Sequence, residues 1–215
     1  MRNLSRFILI LVAFITFSQH AKAELLIVEV QIQGEKSNHD YIKIYNSGSA
    51  ELDVSGYKLK KRTSTGSESS IRVFPKGSKI PPQGYFIWAN SKESFHLTLG
   101  ANVSSSATLA KNNSIALFNS ENKIVDALAW GKSQNPFVKG NPFPENPKSN
   151  QQLKREIVDG VYQNTNDNSQ DFYLYPLLTS QTQTESKTQT QKEKLDFQTP
   201  EIQNIEPSPS LNNPQ

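Results

Sequence analysis

The chain of 215 residues contains no cysteine, and this absence limits both its structure and its chemistry. No disulfide can hold the fold together, and no thiolate can act as a nucleophile or a metal ligand. Histidine is scarce as well, with three in the chain. The sequence has no H-E-x-x-H, no G-x-S-x-G and no phosphate-binding loop. We therefore predict a protein that is not an enzyme, without catalytic residues, cofactor or metal.

One catalytic alternative stays open, because carboxylates that are distant in sequence can meet in space. Glu29, Asp40 and Asp126 could converge into the acid pair of a small hydrolase or into a calcium site. His39 and Asp40 are adjacent, and we interpret them as a solvent-facing pair in a loop after the first strand.

The sequence also lacks an apolar run of the roughly 20 residues that a membrane-spanning helix needs. Its longest apolar run, residues 7–17, follows Arg2 and Arg6 and precedes the small-x-small pattern of Ala21, Lys22 and Ala23. This arrangement is typical of a secretory signal peptide. We predict a signal peptide over residues 1–23, export to the periplasm or the extracellular space, and no membrane span in the mature chain.

A strong excess of either charge is missing too. The chain has 23 basic and 20 acidic residues, but three of the basic residues lie in the predicted signal peptide, which leaves 20 of each. The mature protein is therefore neutral overall, which argues against a general attraction to nucleic acid or anionic membranes.

The segment from residue 24 to residue 176 shows strand patterns and no convincing helical period. In residues 26–32 the even positions are apolar, so we predict that they face the core. Residues 85–89 are predicted to form a central strand, and residues 114–118 and 123–130 a hairpin. Residues 90–110 are predicted to wrap the core without regular strands, and residues 152–156 and 160–162 to be edge strands. We predict one all-β domain, followed by a polar, disordered tail over residues 177–215.

Three phrases occur in a fixed order: LDVSGYKL at residues 52–59, IPPQGYFI at 80–87 and IVDALAWG at 124–131. Together with LKR at 153–155 and QDF at 170–172, they resemble the lamin-tail domain family, in the form found in exported bacterial proteins. The resemblance runs over most of residues 25–176 and implies an immunoglobulin-like β-sandwich. Lys43 stands where that family usually has glutamate.

Several residues in these phrases are predicted to be structural. Asp53 and Gly56 suit a turn, as does Gly84, because aspartate accepts backbone hydrogen bonds and glycine admits a positive φ. Trp130 is predicted to fill the core, with stacking on a sugar as the alternative. Arg155 and Asp171 are predicted to form a bidentate pair that clamps the C-terminal strands. The full set of predicted structural residues is Asp53, Gly56, Gly84, Asp126, Trp130, Gly131, Arg155 and Asp171.

The only basic concentration is a candidate surface for nucleic acid or another polyanion, as nuclear lamin-tail domains have been linked to DNA and chromatin. It consists of Lys58, Lys60, Lys61, Arg62 and Arg72. An edge strand that is protected by lysines explains it equally well.

We therefore predict an exported binding module for a macromolecular partner, protein or nucleic acid, with a tail that could dock on that partner. The alternative is a carbohydrate-binding or adhesive sandwich that uses Trp130 and residues 131–150.

Overall fold

The computed structural model describes residues 24–133 and 137–176 as a strand-rich domain. The predicted signal peptide and the predicted tail lie outside these residues. None of the helices in the described part is long and apolar enough to cross a membrane. The strands are β1 Leu25–Gln31, β2 Tyr41–Asn46, β3 Leu52–Asp53, β4 Lys58–Arg62, β5 Glu68–Val73, β6 Lys79–Ile80, β7 Tyr85–Asn90, β8 Val103–Ser105, β9 Ser114–Phe118, β10 Ile124–Ala129, β11 Gln151–Arg155, β12 Ile157–Val158, β13 Val161–Tyr162 and β14 Phe172–Pro176.

Two sheets pack face to face around one apolar core. The larger has the order β14-β11-β1-β2-β7-β8, and the smaller has the order β10-β9-β4-β5. Two short pairs, β3 with β6 and β12 with β13, stand apart from them. The core takes side chains from both sheets, among them Ile44 and Trp88 of the larger and Leu59 and Leu117 of the smaller. This arrangement confirms the predicted immunoglobulin-like β-sandwich.

The prediction for the first strand is correct for Val30 and Ile32 and wrong for the residues before them. Leu25 and Ile27 belong to the core cluster at one end of β1, whereas Val30 and Ile32 belong to it at the other end. A β-bulge lies between Ile27 and Glu29, where the pairing with β2 shifts by one residue. Because one extra residue reverses the faces of all residues after it, strict alternation cannot hold along this strand.

One of the two predicted edge strands, residues 152–156, is also placed differently. β11 is an inner strand, because β14 follows it at the margin of the larger sheet. β4 is likewise inner, with β9 on one side and β5 on the other. Sequence composition does not reveal this, since a lysine-rich strand can be central if only one of its faces meets solvent.

Residues 90–110 are more regular than we predicted. They contain a 3-10 turn at Lys92–Ser94, helix α1 at Phe95–Thr98 and strand β8, which pairs in parallel with β7. A second short helix, α2 at Asn168–Asp171, precedes β14.

The segment after β10 packs on the outer face of the smaller sheet. Phe137 forms a small apolar cluster there with Ala116, Phe118 and Ala127.

Candidate binding surface

Arg155 is fully buried and is the centre of an ion network that links the two sheets. Its Nη2 donates to Asp126 Oδ2 at 2.9 Å, and its Nη1 donates to Asp171 Oδ2 at 3.2 Å. Asp126 lies on β10 of the smaller sheet, whereas Arg155 lies on β11 of the larger one. The predicted pair of Arg155 and Asp171 thus exists, but its bidentate geometry is wrong, because the guanidinium is shared between two carboxylates.

The same network satisfies the backbone at the bulge in β1. Ile27 donates its N–H to Asp126 Oδ2 at 2.6 Å, and its carbonyl accepts from Arg155 Nε at 2.9 Å. A bulged residue leaves the hydrogen-bond ladder, and an unpaired buried peptide group is costly. Lys139 Nζ also lies 3.0 Å from Asp126 Oδ1, which gives this buried carboxylate a second positively charged neighbour. Asp126 and Arg155 are therefore structural side chains.

The remaining carboxylates do not form an acid pair with Asp126. Glu29 lies on the outer face of the larger sheet, where it accepts from the hydroxyl of Tyr41 and from Lys43 Nζ. Asp40 is fully buried and accepts from the backbone N–H groups of Gln33 and Leu109. Within residues 24–133 and 137–176, no group of three or more acidic or histidine side chains is placed to hold a metal ion.

The interpretation of His39 and Asp40 as a solvent-facing pair is wrong. The His39 ring stacks on Phe95 with centroids 4.3 Å apart. Burial raises the pKa of the Asp40 carboxyl, and this effect is partly offset by its two backbone hydrogen bonds and by the charge of Lys61. Asp40 acts as an internal hydrogen-bond acceptor that fixes the entry to β2.

Trp130 is inaccessible to a sugar. It is fully buried, and its Nε1 donates to the carbonyl of Ala110 at 2.9 Å. Phe137 and Phe143 in the following segment are buried as well. Trp130 therefore fills the core as predicted, and the alternative in which it contacts a carbohydrate is wrong.

Two predicted turn residues adopt the expected geometry. Asp53 Oδ1 accepts from the N–H of Ser55 at 2.8 Å, and Gly56 has a φ of 74°. In the predicted turn that contains Gly84, the positive φ belongs to Gln83, at 51°, and not to Gly84.

Gly131 has two reasons to be glycine. Its φ is 66°, and a Cβ there would lie within 2.6 Å of Asn146 Oδ1 and would also overlap Asn112 Oδ1. These two asparagines join each other through a side-chain hydrogen bond of 2.9 Å that closes over the glycine.

The predicted basic surface is divided between two faces. Because side chains alternate along a strand, Lys58, Lys60 and Arg62 lie on the outer face of β4, whereas Lys61 shares the side of the buried Leu59. Arg72 is paired with Leu59 beside the bulge between β4 and β5, so it also lies on the side of Leu59. Only three of the five basic residues therefore face outward together.

These three outward residues already have partners within the domain. Lys60 bonds to Glu68 at 2.8 Å and lies 4.8 Å from the centre of the Phe118 ring. Arg62 donates to the carbonyl of Gly66 and lies over Phe137. Lys58 donates to Asn122 Oδ1 at 2.6 Å. Their side chains therefore cover the outer face of the smaller sheet, and their charged groups bond to acceptors within the domain.

The outer face of the larger sheet has a different composition: it gathers six of the seven tyrosines of the chain. We call this surface the tyrosine face. Outward positions of β2 and β7 supply three, β14 supplies two, and the β12–β13 hairpin supplies one. The tyrosine face consists of Tyr41, Tyr45, Tyr85, Tyr162, Tyr173 and Tyr175, with Glu29, Lys43 and Lys154 between them, although Tyr41 itself is buried.

Three of these rings form a compact cluster. Tyr45 packs on Tyr85 with centroids 5.1 Å apart and on Tyr162 at 4.8 Å. The hydroxyl oxygens of Tyr85 and Tyr162 are 3.1 Å apart. Tyr85 nevertheless remains 46% exposed. The cluster is thus preorganised by ring contacts, and it still presents apolar edges and hydroxyl groups to solvent.

Charge on the tyrosine face is modest and internally balanced. Lys43 Nζ lies 3.0 Å from Glu29 Oε2, and Lys154 Nζ lies 3.9 Å from the same oxygen. Lys154 also lies 3.9 Å from the centre of the Tyr175 ring. Because one carboxylate serves two lysines, the surface has only a small positive excess.

Exposed aliphatic side chains border the tyrosine cluster. In the β12–β13 hairpin, Ile157 is 57%, Val158 52% and Val161 66% exposed. Asp159 and Gly160, both with positive φ, make the tight turn between the two strands. Ile157 is paired with Tyr162 across this hairpin, so its side chain lies on the same face as the aromatic cluster and extends it.

Sequence reasoning missed the tyrosine face, although a signal for it was present. Tyr41, Lys43 and Tyr45 alternate with buried isoleucines, which is the pattern of an outward aromatic row. That the rows of β2, β7 and β14 join on one face depends on sheet order, which the sequence does not specify.

These observations define the class of the protein as an immunoglobulin-like β-sandwich that carries an aromatic outer face. The family model of the lamin tail domain matches residues 18–132, and the chain belongs to that family, an immunoglobulin-like domain that typically mediates interactions. Arg155, Asp171 and β14 lie beyond the matched residues. No curated protein matches the chain.

Proposed function

We propose that this protein is an exported, non-enzymatic binding module whose tyrosine face contacts a partner protein. The observation that carries this proposal is the cluster of Tyr45, Tyr85 and Tyr162 beside the aliphatic hairpin, in which Tyr85 is half-exposed. Tyrosine is enriched at protein interfaces because it buries a large apolar ring and keeps a polar tip. Membership of a family that mediates interactions supports the same assignment.

A protein partner fits this surface better than a nucleic acid does. Polyanion binding needs several lysines or arginines that are free to neutralise phosphates. Lys43 and Lys154 share Glu29, and the outward residues of β4 are bonded within the domain. A bilayer is a poorer fit as well, because Asp159 lies at the tip of the aliphatic hairpin, where insertion would remove its carboxylate from water.

The test compares the wild-type protein with the double variant Tyr85→Ser and Tyr162→Ser in pull-downs from a native cell-envelope extract. The matched control is Ile124→Ser on the smaller sheet, since Ile124 is also 46% exposed. We expect the tyrosine variant to lose partners that both wild type and control retain, with unchanged circular dichroism. Retention of every partner by the tyrosine variant would remove this face from consideration.

Two further binding assays separate the other ligand classes. Fluorescence anisotropy with a DNA oligonucleotide at two salt concentrations, and with Lys58, Lys60 and Arg62 changed to glutamine, tests the basic residues of β4. A glycan array tests carbohydrates. Salt-sensitive DNA binding that depends on those three residues, or glycan binding that survives the tyrosine changes, would contradict the proposed protein partner.

A further inference from the structure

Lys139 and Asn164 approach each other at a site flanked by two carboxylates. Lys139 Nζ lies 3.5 Å from Asn164 Oδ1 and 3.0 Å from Asp126 Oδ1. On its other side, the Asn164 carboxamide donates from Nδ2 to Glu24 Oε1 at 2.6 Å. A primary amine, a carboxamide and two carboxylates are therefore gathered in one place. Asp126 is fully buried, and the Lys139 side chain is 17% exposed.

Hydrogen bonds fix the backbone at Lys139 and next to Asn164. The buried side chain of Asn168 accepts from the Lys139 N–H at 3.2 Å, and the Asn168 N–H donates to the Lys139 carbonyl at 2.9 Å. On the other segment, the carbonyl of Gln163 accepts from Arg155 Nη1 at 3.0 Å. Neither segment can move away without breaking these hydrogen bonds.

Gly140 lets the two segments come this close. A Cβ at this position would lie 2.8 Å from the carbonyl oxygen of Asn166 and 2.9 Å from the Cα of Asp167. The two segments of the chain are thus in van der Waals contact directly beside the Lys139 and Asn164 side chains. Such fixed proximity supplies a large part of the barrier reduction in intramolecular reactions.

We propose that Lys139 and Asn164 form an intramolecular amide bond in the folded protein. Asp126 Oδ1 takes one proton from the Lys139 ammonium, and the resulting amine attacks the carboxamide carbon of Asn164. The bond between that carbon and Nδ2 breaks, and Nδ2 leaves with one proton from the attacking nitrogen and one from Asp126, as an ammonium ion. Atoms and charge balance, since an ammonium and a carboxamide become an amide and an ammonium ion. No oxidant, metal or cofactor takes part.

Each carboxylate has a separate role in this step. Asp126 is within reach of the nucleophile and acts as the proton relay, which is general base and then general acid catalysis. Glu24 accepts from Nδ2 and so orients the carboxamide toward the lysine. The product keeps one N–H on the former Lys139 nitrogen, which remains beside Asp126 Oδ1. The covalent link would join the segment after β10 to the segment after β13 in a chain that has no cysteine to do so. This proposal does not depend on the proposed binding function.

Mass spectrometry of the full chain tests the proposal directly. The protein is purified, its N-terminus is determined, and its intact mass is compared with the mass that its sequence requires. We expect a deficit of one ammonia and, after proteolysis, a single branched peptide that contains both Lys139 and Asn164. An intact mass without deficit after prolonged incubation of the folded protein, with the two residues on separate peptides, overturns the proposal.

Three variants control for other sources of lost ammonia. Lys139→Arg keeps the positive charge beside Asp126 but removes the amine nucleophile, so the deficit and the branched peptide must both disappear. Asn164→Asp replaces the leaving ammonia with water, so its deficit must equal one water. Lys132→Arg, at an exposed position, must leave the branched peptide unchanged. A deficit that persists in Lys139→Arg would assign the loss to another asparagine or to the N-terminus and would refute the link.

Discussion

Removal of the Arg155 side chain offers a quantitative test of how the two sheets are held together. Arg155→Ala leaves the carboxylates of Asp126 and Asp171 without their shared partner, and both side chains are fully buried. It also removes the donors to the carbonyls of Ile27 and Gln163. Breaking a buried ion pair from one side costs about 3–5 kcal/mol, because a charge is left uncompensated in a low-dielectric site.

The expected loss for Arg155→Ala lies near the middle of that range. Asp126 keeps the backbone N–H of Ile27 as a donor, which limits the penalty, whereas the two orphaned carbonyls add to it. We expect the free energy of unfolding to fall by about 4 kcal/mol. For a domain of this size, such a loss lowers the melting temperature by about 8–16 °C.

Chemical denaturation followed by tryptophan fluorescence measures this change, because Trp88 and Trp130 are both fully buried in the core. Lys123→Ala is the matched control, since its pair with Glu121 has side chains that are 76% and 67% exposed. We expect the control to change stability by no more than about 0.5 kcal/mol. If Arg155→Ala were as stable as Lys123→Ala, the network would not hold the sheets together, and the reasoning from its geometry would be refuted.

Three further predictions concern single positions. Gly131→Ala should destabilise the domain by more than about 2 kcal/mol. The control Gly77→Ala, at a φ of 83° but with nothing within 4 Å of the added Cβ, should cost only about 1 kcal/mol. Equal losses would show that crowding by the asparagines around Gly131 is unimportant. Burial raises the pKa of Asp40, so its carboxyl group binds a proton more tightly in the native state than in the unfolded chain. The free energy of unfolding should therefore decrease as the pH rises from the ordinary pKa of 3.8 through the higher pKa of the folded state. Asp40→Asn should abolish that dependence in denaturation curves measured across this window, and an unchanged slope would contradict it. Burial also raises the pKa of Tyr162, so Tyr162→Phe should remove one ionisation above the ordinary value of 10.0 in an ultraviolet titration.

The fold could be predicted from the sequence because its signals are local. Turn phrases such as 52–59 and 80–87 mark strand ends, and alternation in β2 places Ile42 and Ile44 in the core. Sheet order and bulges depend on contacts between distant segments. The bulge after Ile27 is stabilised by Asp126 and Arg155, which are far away in the chain. Strict alternation therefore failed in β1, where a tertiary contact decides the phase.

The candidate surface was harder to predict for the same reason. A cluster of lysines and arginines in neighbouring strands is obvious in a sequence, yet its members divide between two faces once the register of β4 and β5 is known. The tyrosines are scattered from residue 41 to residue 175, and no short window contains more than two of them. They become one surface only because β14 returns to the sheet that contains β2.

The two outer faces of the sandwich differ in how they are covered, and this difference bears on where recognition takes place. On the smaller sheet, Phe137 covers the apolar strip of Ala116 and Phe118, and the stems of Lys60 and Arg62 lie over the aromatic rings. The chain itself thus covers part of that face, although Ile124 on its margin remains 46% exposed. On the larger sheet, Tyr85 stays half-exposed although its ring packs on a neighbouring tyrosine. Rings that are fixed by neighbours lose little further entropy when a partner covers them, and this is why we propose the open face of the larger sheet as the binding surface.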